Sequence, residues 1–467
     1  MHKGILRKME IKLKSNHNLE SENISKLLVQ LSLPAMVGML VMALYNIIDT
    51  IFVGRGVGTN AIAALSIVFP IQMLVMAAGL LYGMGGASVI SRQLGEGAHD
   101  RANTTYGNIA VAAIISGLGL TIVGMIFRDP ILQIFGASAE ILPMSRDYYN
   151  LIILSSPLFV MAMTGNNVLR SVGMAKSAMM TMLVGAVGNI ILDPIFIFGF
   201  DMGVRGAALA TVIAQLFSVL YLIKELTSKR CSLRLRKQHL KIDKAIMKEV
   251  MAIGFSSFIR NVAGSFIFAL VNNKLLVYGT EVSVAAYGVV IKLMRFLLMP
   301  LIGIAQGLQP IIGFNYGARK FDLVEKAAKL GLLYGSIISV FGFIIAQLFP
   351  EILISVFTDD VALLTAGSQA MRIMMLGIWV VGFQIVGTTI FQALGKARES
   401  LLLSLVREVI FLIPLLIVLP QIFQVNGIWM AIPLADVFSA VLTIVLLANL
   451  SSKIKQRKRS AALAAVN

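Results

Sequence analysis

Apolar stretches long enough to cross a bilayer recur along almost the whole chain, and this recurrence rules out most other architectures. Lipid offers the backbone no hydrogen bonds, so a span must satisfy its own N–H and C=O groups as a helix, which needs about 20 apolar residues to cross. The sequence has about twelve such stretches. They run approximately over 27–53, 61–88, 104–127, 148–168, 177–199 and 204–224, then over 250–278, 283–312, 327–349, 368–392, 401–420 and 426–450. Charged residues make up only 13% of the 467 positions, against about 25% in soluble domains. No polar segment between the spans is long enough to fold alone. The expected class is therefore an all-α membrane protein with about twelve transmembrane helices.

The net charge of +17 would suit nucleic-acid binding if it formed one basic face. Instead the basic residues collect in short runs beside apolar segments, as topology signals do, and no nucleic-acid partner is expected. Lys3, Arg7, Lys8, Lys12 and Lys14 precede the first span, and Lys453, Lys455, Arg457, Lys458 and Arg459 follow the last. A third run, from Lys224 to Lys248, joins the two halves, whereas the loops near Thr59, Asp201, Thr280 and Asp359 are poor in base. Both termini are expected in the cytoplasm. Met1 to Lys26 holds no apolar core ahead of a small-residue cleavage site, so the first helix is expected to direct insertion. The organisation reads as a polar segment 1–26, six helices over 27–224, a basic linker 225–249, six helices over 250–450 and a basic tail 451–467. The single cysteine, Cys231, excludes an intrachain disulfide.

The two halves repeat. Gly95 and Gly317 stand 222 positions apart (317 − 95), as do Asp100 and Asp322, Phe135 and Phe357, and Gly173 and Gly395. The pairs lie in like contexts, "QLGEGAHDRA" against "NYGARKFDLV" and "RSVGMAKS" against "QALGKARE". An even number of helices per half gives both halves one orientation, and a parallel repeat implies a pseudo-two-fold axis along the membrane normal. Substrate is expected between or within two pseudo-symmetric six-helix lobes.

Three segments, "LSLPAMVGMLVMALYNIIDTIFVGRGVG", "ISRQLGEG" and "NIILDPIFIFGFDMGVRGAALAT", carry a resemblance to the multidrug and toxic compound extrusion (MATE) family that covers residues 25–450. The resemblance implies a V-shaped pair of lobes that alternates between inward and outward openings. It further implies export of amphipathic, often cationic drugs in exchange for protons or Na⁺, with no other cofactor. The expected setting is the inner (plasma) membrane of a bacterium or archaeon, and the expected state is a monomer.

A carboxylate inside a membrane costs about 2.5 to 3.5 kcal/mol on insertion scales, so each one calls for a partner, a cavity or a purpose. Asp49 lies in the first span with Tyr45 one turn before it on the same face. Asp193 lies in the fifth span with Asn189 four residues earlier, and Pro194 removes a backbone donor behind it. Carboxylate, amide oxygen and freed carbonyl together suit a hard cation, and protonation would abolish the site. A helix-capping Asp49 and a helix-kinking Asp193 are the structural readings of the same residues. The resemblance implies that Asp49, Asn189, Asp193 and Thr211 form the coupling-cation site, for H⁺ or Na⁺. An isolated Thr211 would otherwise bond its own backbone one turn back. Proton capture at Asp49 or Asp193 is expected to shift packing around Pro34, so that a bent first helix narrows the cavity.

In the second half, Arg407 is expected to snorkel to the surface with Glu408 as partner, leaving Asp436 to pair with a drug cation or to make a structural hydrogen bond. Some members of the family place functional acids in the seventh and tenth helices, but no acid lies in 255–278 or between Ala366 and Gln392. This departure points to the first lobe for coupling. Met36, Met39, Met42, Met161 and Met163 are candidates to line an adaptable cavity, of which Met39 and Met163, with Tyr45, are the main candidates, or else to pack against neighbouring helices or lipid. The chain has no phosphate-binding loop, zinc-protease motif or nucleophile elbow, so an enzyme is not expected. The main rival is a lipid-linked oligosaccharide or polysaccharide flippase of the same superfamily, whose cationic cavity Arg260, Lys274, Lys292 and Arg295 would supply.

Overall fold

A computed structural model of the chain describes residues 19–466; Lys3, Arg7, Lys8, Lys12 and Lys14 lie outside the described residues. Every described regular element is helical. Helix α1 (Ile24–Gly56) opens on Asn23, whose Oδ1 accepts from Lys26 N at 3.1 Å, and runs unbroken through Pro34. Helices α2 (Thr59–Gly95) and α3 (His99–Ile126) follow, then the short α4 (Arg128–Ile134). The fourth span is a pair, α5 (Leu142–Leu154) and α6 (Ser156–Ser171), bent by 50° at Ser155. Pro157, in the first turn of α6, contributes no donor to the ladder at this bend. Helix α7 (Ala175–Pro194) runs into a π-helical segment, Ile195–Gly199, and α8 (Gly203–Thr227) closes the first lobe.

The second lobe begins with α9 (Lys244–Tyr278), α10 (Glu281–Gly317), α11 (Phe321–Leu348) and the short α12 (Pro350–Ser355). Its fourth span is again compound, with α13 (Val361–Met374), a 3-10 turn and α14 (Ile378–Ala393). Helix α15 (Ala397–Leu405), the π-helical Val406–Leu412 and α16 (Ile413–Val466) complete it. Backbone angles break α16 at Gln424 (φ 49°, ψ −129°). A Cβ at Gly427 would overlap the Leu419 carbonyl, although eight residues of continuous helix would separate the two by about 12 Å. The Phe411 and Phe438 rings lie 5.3 Å apart, so the chain reverses at Gln424 and α16 contributes two spans. With ten long apolar helices and one bent pair, this reversal makes twelve.

The lobes meet along a seam built from small residues, which lets backbones approach as they do between helices in lipid. A Cβ at Gly85 would overlap the Val250 carbonyl, and one at Gly254 the Leu81 carbonyl, so α2 and α9 are in backbone contact. On the opposite side of the axis, Gly303 and Gly307 of α10 press on Met36 and Ser32 of α1. These contacts obey the repeat: positions 81 and 85 map to 303 and 307 at an offset of 222, and 32 and 36 map to 250 and 254 at 218. The linker is docked onto α3. Asn108 Nδ2 donates to the carbonyls of His239 and Lys241, and the buried His239 ring lies 3.1 Å from Asp100 Oδ1.

Candidate functional site

Between the lobes lies a cavity of about 470 Å³ lined by both halves. The lining follows the repeat closely. Met76, Leu80 and Met84 face Leu298, Ile302 and Gln306; Asn166, Asn167 and Arg170 answer Thr388, Thr389 and Gln392; Gly185 and Ala186 answer Arg407 and Glu408, all at an offset of 222. The two lobes therefore present equivalent positions to one space, and their chemical difference lies in which side chains occupy them.

The strongest difference is the acidic cluster of the first lobe. Asp49 from α1 is 9% exposed, Asp193 from α7 is fully buried, and the two carboxyl groups lie within electrostatic range of each other. Asn189, one turn before Asp193, donates from Nδ2 to Asp193 Oδ1 at 3.2 Å and to Thr211 Oγ1 at 3.3 Å. Thr211 in turn donates to Ala207 O at 3.0 Å, the one-turn-back bond of an isolated threonine, so its hydroxyl serves both contacts. Tyr45, Asn189 and Thr211 line the central cavity, with the two acids behind them. Three buried oxygens of the cluster, Asp49 Oδ1, Asp193 Oδ2 and Asn189 Oδ1, have no hydrogen-bond partner.

Two carboxylates this close cannot both stay ionised without a compensating charge, and unpaired buried acceptors cost free energy. Either a shared proton or a hard cation among the three oxygens relieves both costs. The second lobe cannot do this: the matching positions hold Ile267 (offset 218), Phe411, Leu415 and Pro433 (offset 222). Pro34 sits far from this cluster. At 15 residues from Asp49 on one helix, it lies about 22 Å away, beside the seam contacts of Ser32 and Met36.

Of the five methionines singled out in the sequence, Met39, Met42 and Met163 line the cavity, and Met36 packs on Gly303. Arg407 departs from expectation. It does not snorkel but lines the cavity, donating from Nε to Asp436 Oδ1 at 2.6 Å and from NH1 to Glu408. The reversal at Gln424 and the π-helical segment hold it there, because Asp436 on the returning limb of the hairpin supplies the counter-charge that the surface would otherwise provide. Asp436 is thereby occupied by Arg407 and is not among the residues that line the cavity. Among the four basic residues considered for a flippase, only Arg260 lines the cavity; Lys274 lies over the Tyr278 ring and Arg295 over that of Phe69.

Sequence reasoning missed Arg170 and Tyr148. Arg170, 6% exposed, lines the cavity and sits in the "RSVG" motif, whose repeat partner is Gln392. Tyr148 accepts from Gln72 Nε2 at 3.4 Å and lies within electrostatic range of Asp49 and Asp193.

A model of the MatE family matches residues 34–195 and 253–418, one stretch in each lobe. Among curated relatives, the multidrug export protein MepA of Staphylococcus haemolyticus is 27% identical over 441 residues, 94% of this chain and 97% of its own. Among solved structures, a complex of the MATE multidrug transporter DinF-BH is 42% identical, with a TM-score of 0.87 over 92% of this chain and 96% of its own. An outward-facing multidrug resistance MATE family transporter of the MOP superfamily superposes with a TM-score of 0.90 at 25% identity, over 95% and 99% of the two chains.

Proposed function

The chain belongs to the MatE family, a family of membrane transporters and not of enzymes, and from that premise we propose that it is a secondary active multidrug efflux antiporter. It exports amphipathic compounds in exchange for protons or Na⁺ by alternating access between two openings of the central cavity. The observation that carries this reading is the set of three unpartnered buried oxygens on Asp49, Asp193 and Asn189. They fit a proton or a Na⁺ ion as coupling cation, and the cluster meets the cavity through Asn189 and Thr211.

Coupling then follows from linkage. If cation and cargo favour opposite openings, each weakens the other's binding by the same factor, and a gradient of one drives the other. The 22 Å or so between Asp49 and Pro34 along α1 gives the charge change a single rigid element through which to reach the seam at Met36 and Gly303. The basic linker supports an inner-membrane orientation with both termini in the cytoplasm, and the protein acts as a monomer within the bilayer.

The test is ethidium efflux from liposomes holding the purified protein, with pH and Na⁺ gradients imposed separately. Efflux driven by one or both gradients supports antiport and identifies the ion. Efflux indifferent to both would overturn it.

A further inference from the structure

No carboxylate that lines the cavity is free to anchor a cationic head, so a cation is left to apolar contact alone. Glu408 is the one lining carboxylate, and Arg407 already holds it. Of the lining side chains only Tyr45 and Phe159 are aromatic, too few for a cage around a quaternary nitrogen. Asp49 and Asp193 stand behind Asn189 and Thr211.

One guanidinium, by contrast, is present without a counter-charge. Arg170 is 6% exposed, its Nε has no hydrogen-bond partner, and its NH2 reaches only Met182 Sδ at 3.3 Å. Arg260 lines the same cavity from the other lobe and makes no hydrogen bond or ion pair among the described residues. It lies within electrostatic range of Arg407 and Glu408, whose charges together with that of Asp436 sum to −1, so Arg260 balances that group and Arg170 stays uncompensated. Burying a guanidinium without a partner costs several kcal/mol, a cost recovered when an oxyanion enters, and the planar fork matches a carboxylate or phosphate through two parallel bonds. Met39, Met42, Met163 and Met182 supply a deformable apolar wall for the rest of such a ligand.

We propose that the cavity also takes amphiphiles carrying an oxyanion head, anchored by Arg170 and flanked by Arg260. This rests on the reading of the cavity as the substrate site and names its cargo class.

The test compares two dyes that share one xanthene ring, a cationic rhodamine ethyl ester and its free acid, which carries a carboxylate. Binding to the purified full-length protein is read by fluorescence anisotropy. The acid is expected to bind about tenfold tighter than the ester. Arg170→Gln should remove that difference by weakening the acid without weakening the ester, Arg170→Lys should keep part of it, and Arg260→Gln should reduce acid affinity by a smaller factor. Benzoate should displace the acid from the unaltered protein and benzylamine should not, a readout that needs no variant to fold. Equal affinity for the two dyes, no binding of the acid, equal loss of both in Arg170→Gln, or equal displacement by benzylamine would each overturn the proposal. No ion gradient enters the measurement, so failed antiport and failed oxyanion recognition are told apart.

Discussion

Gly95 and Gly317 meet across the pseudo-two-fold axis, each facing the backbone of the other's helix: a Cβ at Gly95 would overlap the Phe314 carbonyl and one at Gly317 the Arg92 carbonyl. Arg92 and Phe314 are themselves 222 positions apart, so the repeat makes contact with itself here. Beside it, Arg92 reaches Glu249 of the second lobe at 2.8 Å. Neither backbone can retreat without moving a whole helix. Gly95→Ala and Gly317→Ala are each expected to cost about 1–3 kcal/mol by overpacking, read as a lowered Tm in detergent, whereas Gly97→Ala, beside open space and in the left-handed region (φ 74°), is strained only through its own backbone.

Asp436 and Arg407 behave as a structural pair in this account. Asp436→Ala should leave Arg407 with Glu408 alone and destabilise the protein by about 3 kcal/mol, at the low end for breaking a buried pair because one partner remains. The combination Arg407→Met, Glu408→Gln and Asp436→Leu, which removes all three charges together, should recover much of that loss. Thermal unfolding of the three proteins checks this; equal Tm values for Asp436→Ala and its parent would contradict it.

Asn189 has two roles in the cluster and Thr211 one, and their variants should differ accordingly. Asn189→Leu removes both donated bonds and an unpartnered oxygen, so gradient-driven efflux should fall at least about tenfold, the loss of two hydrogen bonds at a charged site. Thr211→Val removes one acceptor and should reduce efflux less. Initial rates across a pH series rank the two.

Cys231 lies in the docked linker, and burial raises its thiol above its ordinary range. Its thiolate fraction at neutral pH is therefore small, so maleimide labelling should be slow and should accelerate as pH rises. Asn108→Ala, which removes the bonds that dock the linker on α3, should speed labelling at constant pH. Labelling at the rate of a free thiol in the unaltered protein would contradict the docking.

Much of the fold was legible because its cause is local. A run of apolar residues about 20 long must be helical in lipid whatever surrounds it, and the offset of 222 is visible in "RSVG" against "QALG". The candidate site was half legible. The spacing of Asn189 and Asp193 puts both on one face of α7, but nothing in the sequence says that α1 brings Asp49 to that face. Arg407 was misread because spans at 401–420 and 426–450 do not by themselves say which side chains of the two limbs meet, and Asp436 across the hairpin holds Arg407 in the cavity. Arg170 was overlooked because it sits at the end of an apolar span, where a basic residue usually reports topology.

The central claim is that Asp49 and Asp193 act as one coupling site. Its most direct test is ethidium efflux under the driving gradient from liposomes holding Asp49→Asn or Asp193→Asn, each checked for insertion and monodispersity. Loss of driven efflux in both, with ethidium still bound, is the predicted result. Driven efflux at the parent rate in either variant would contradict it.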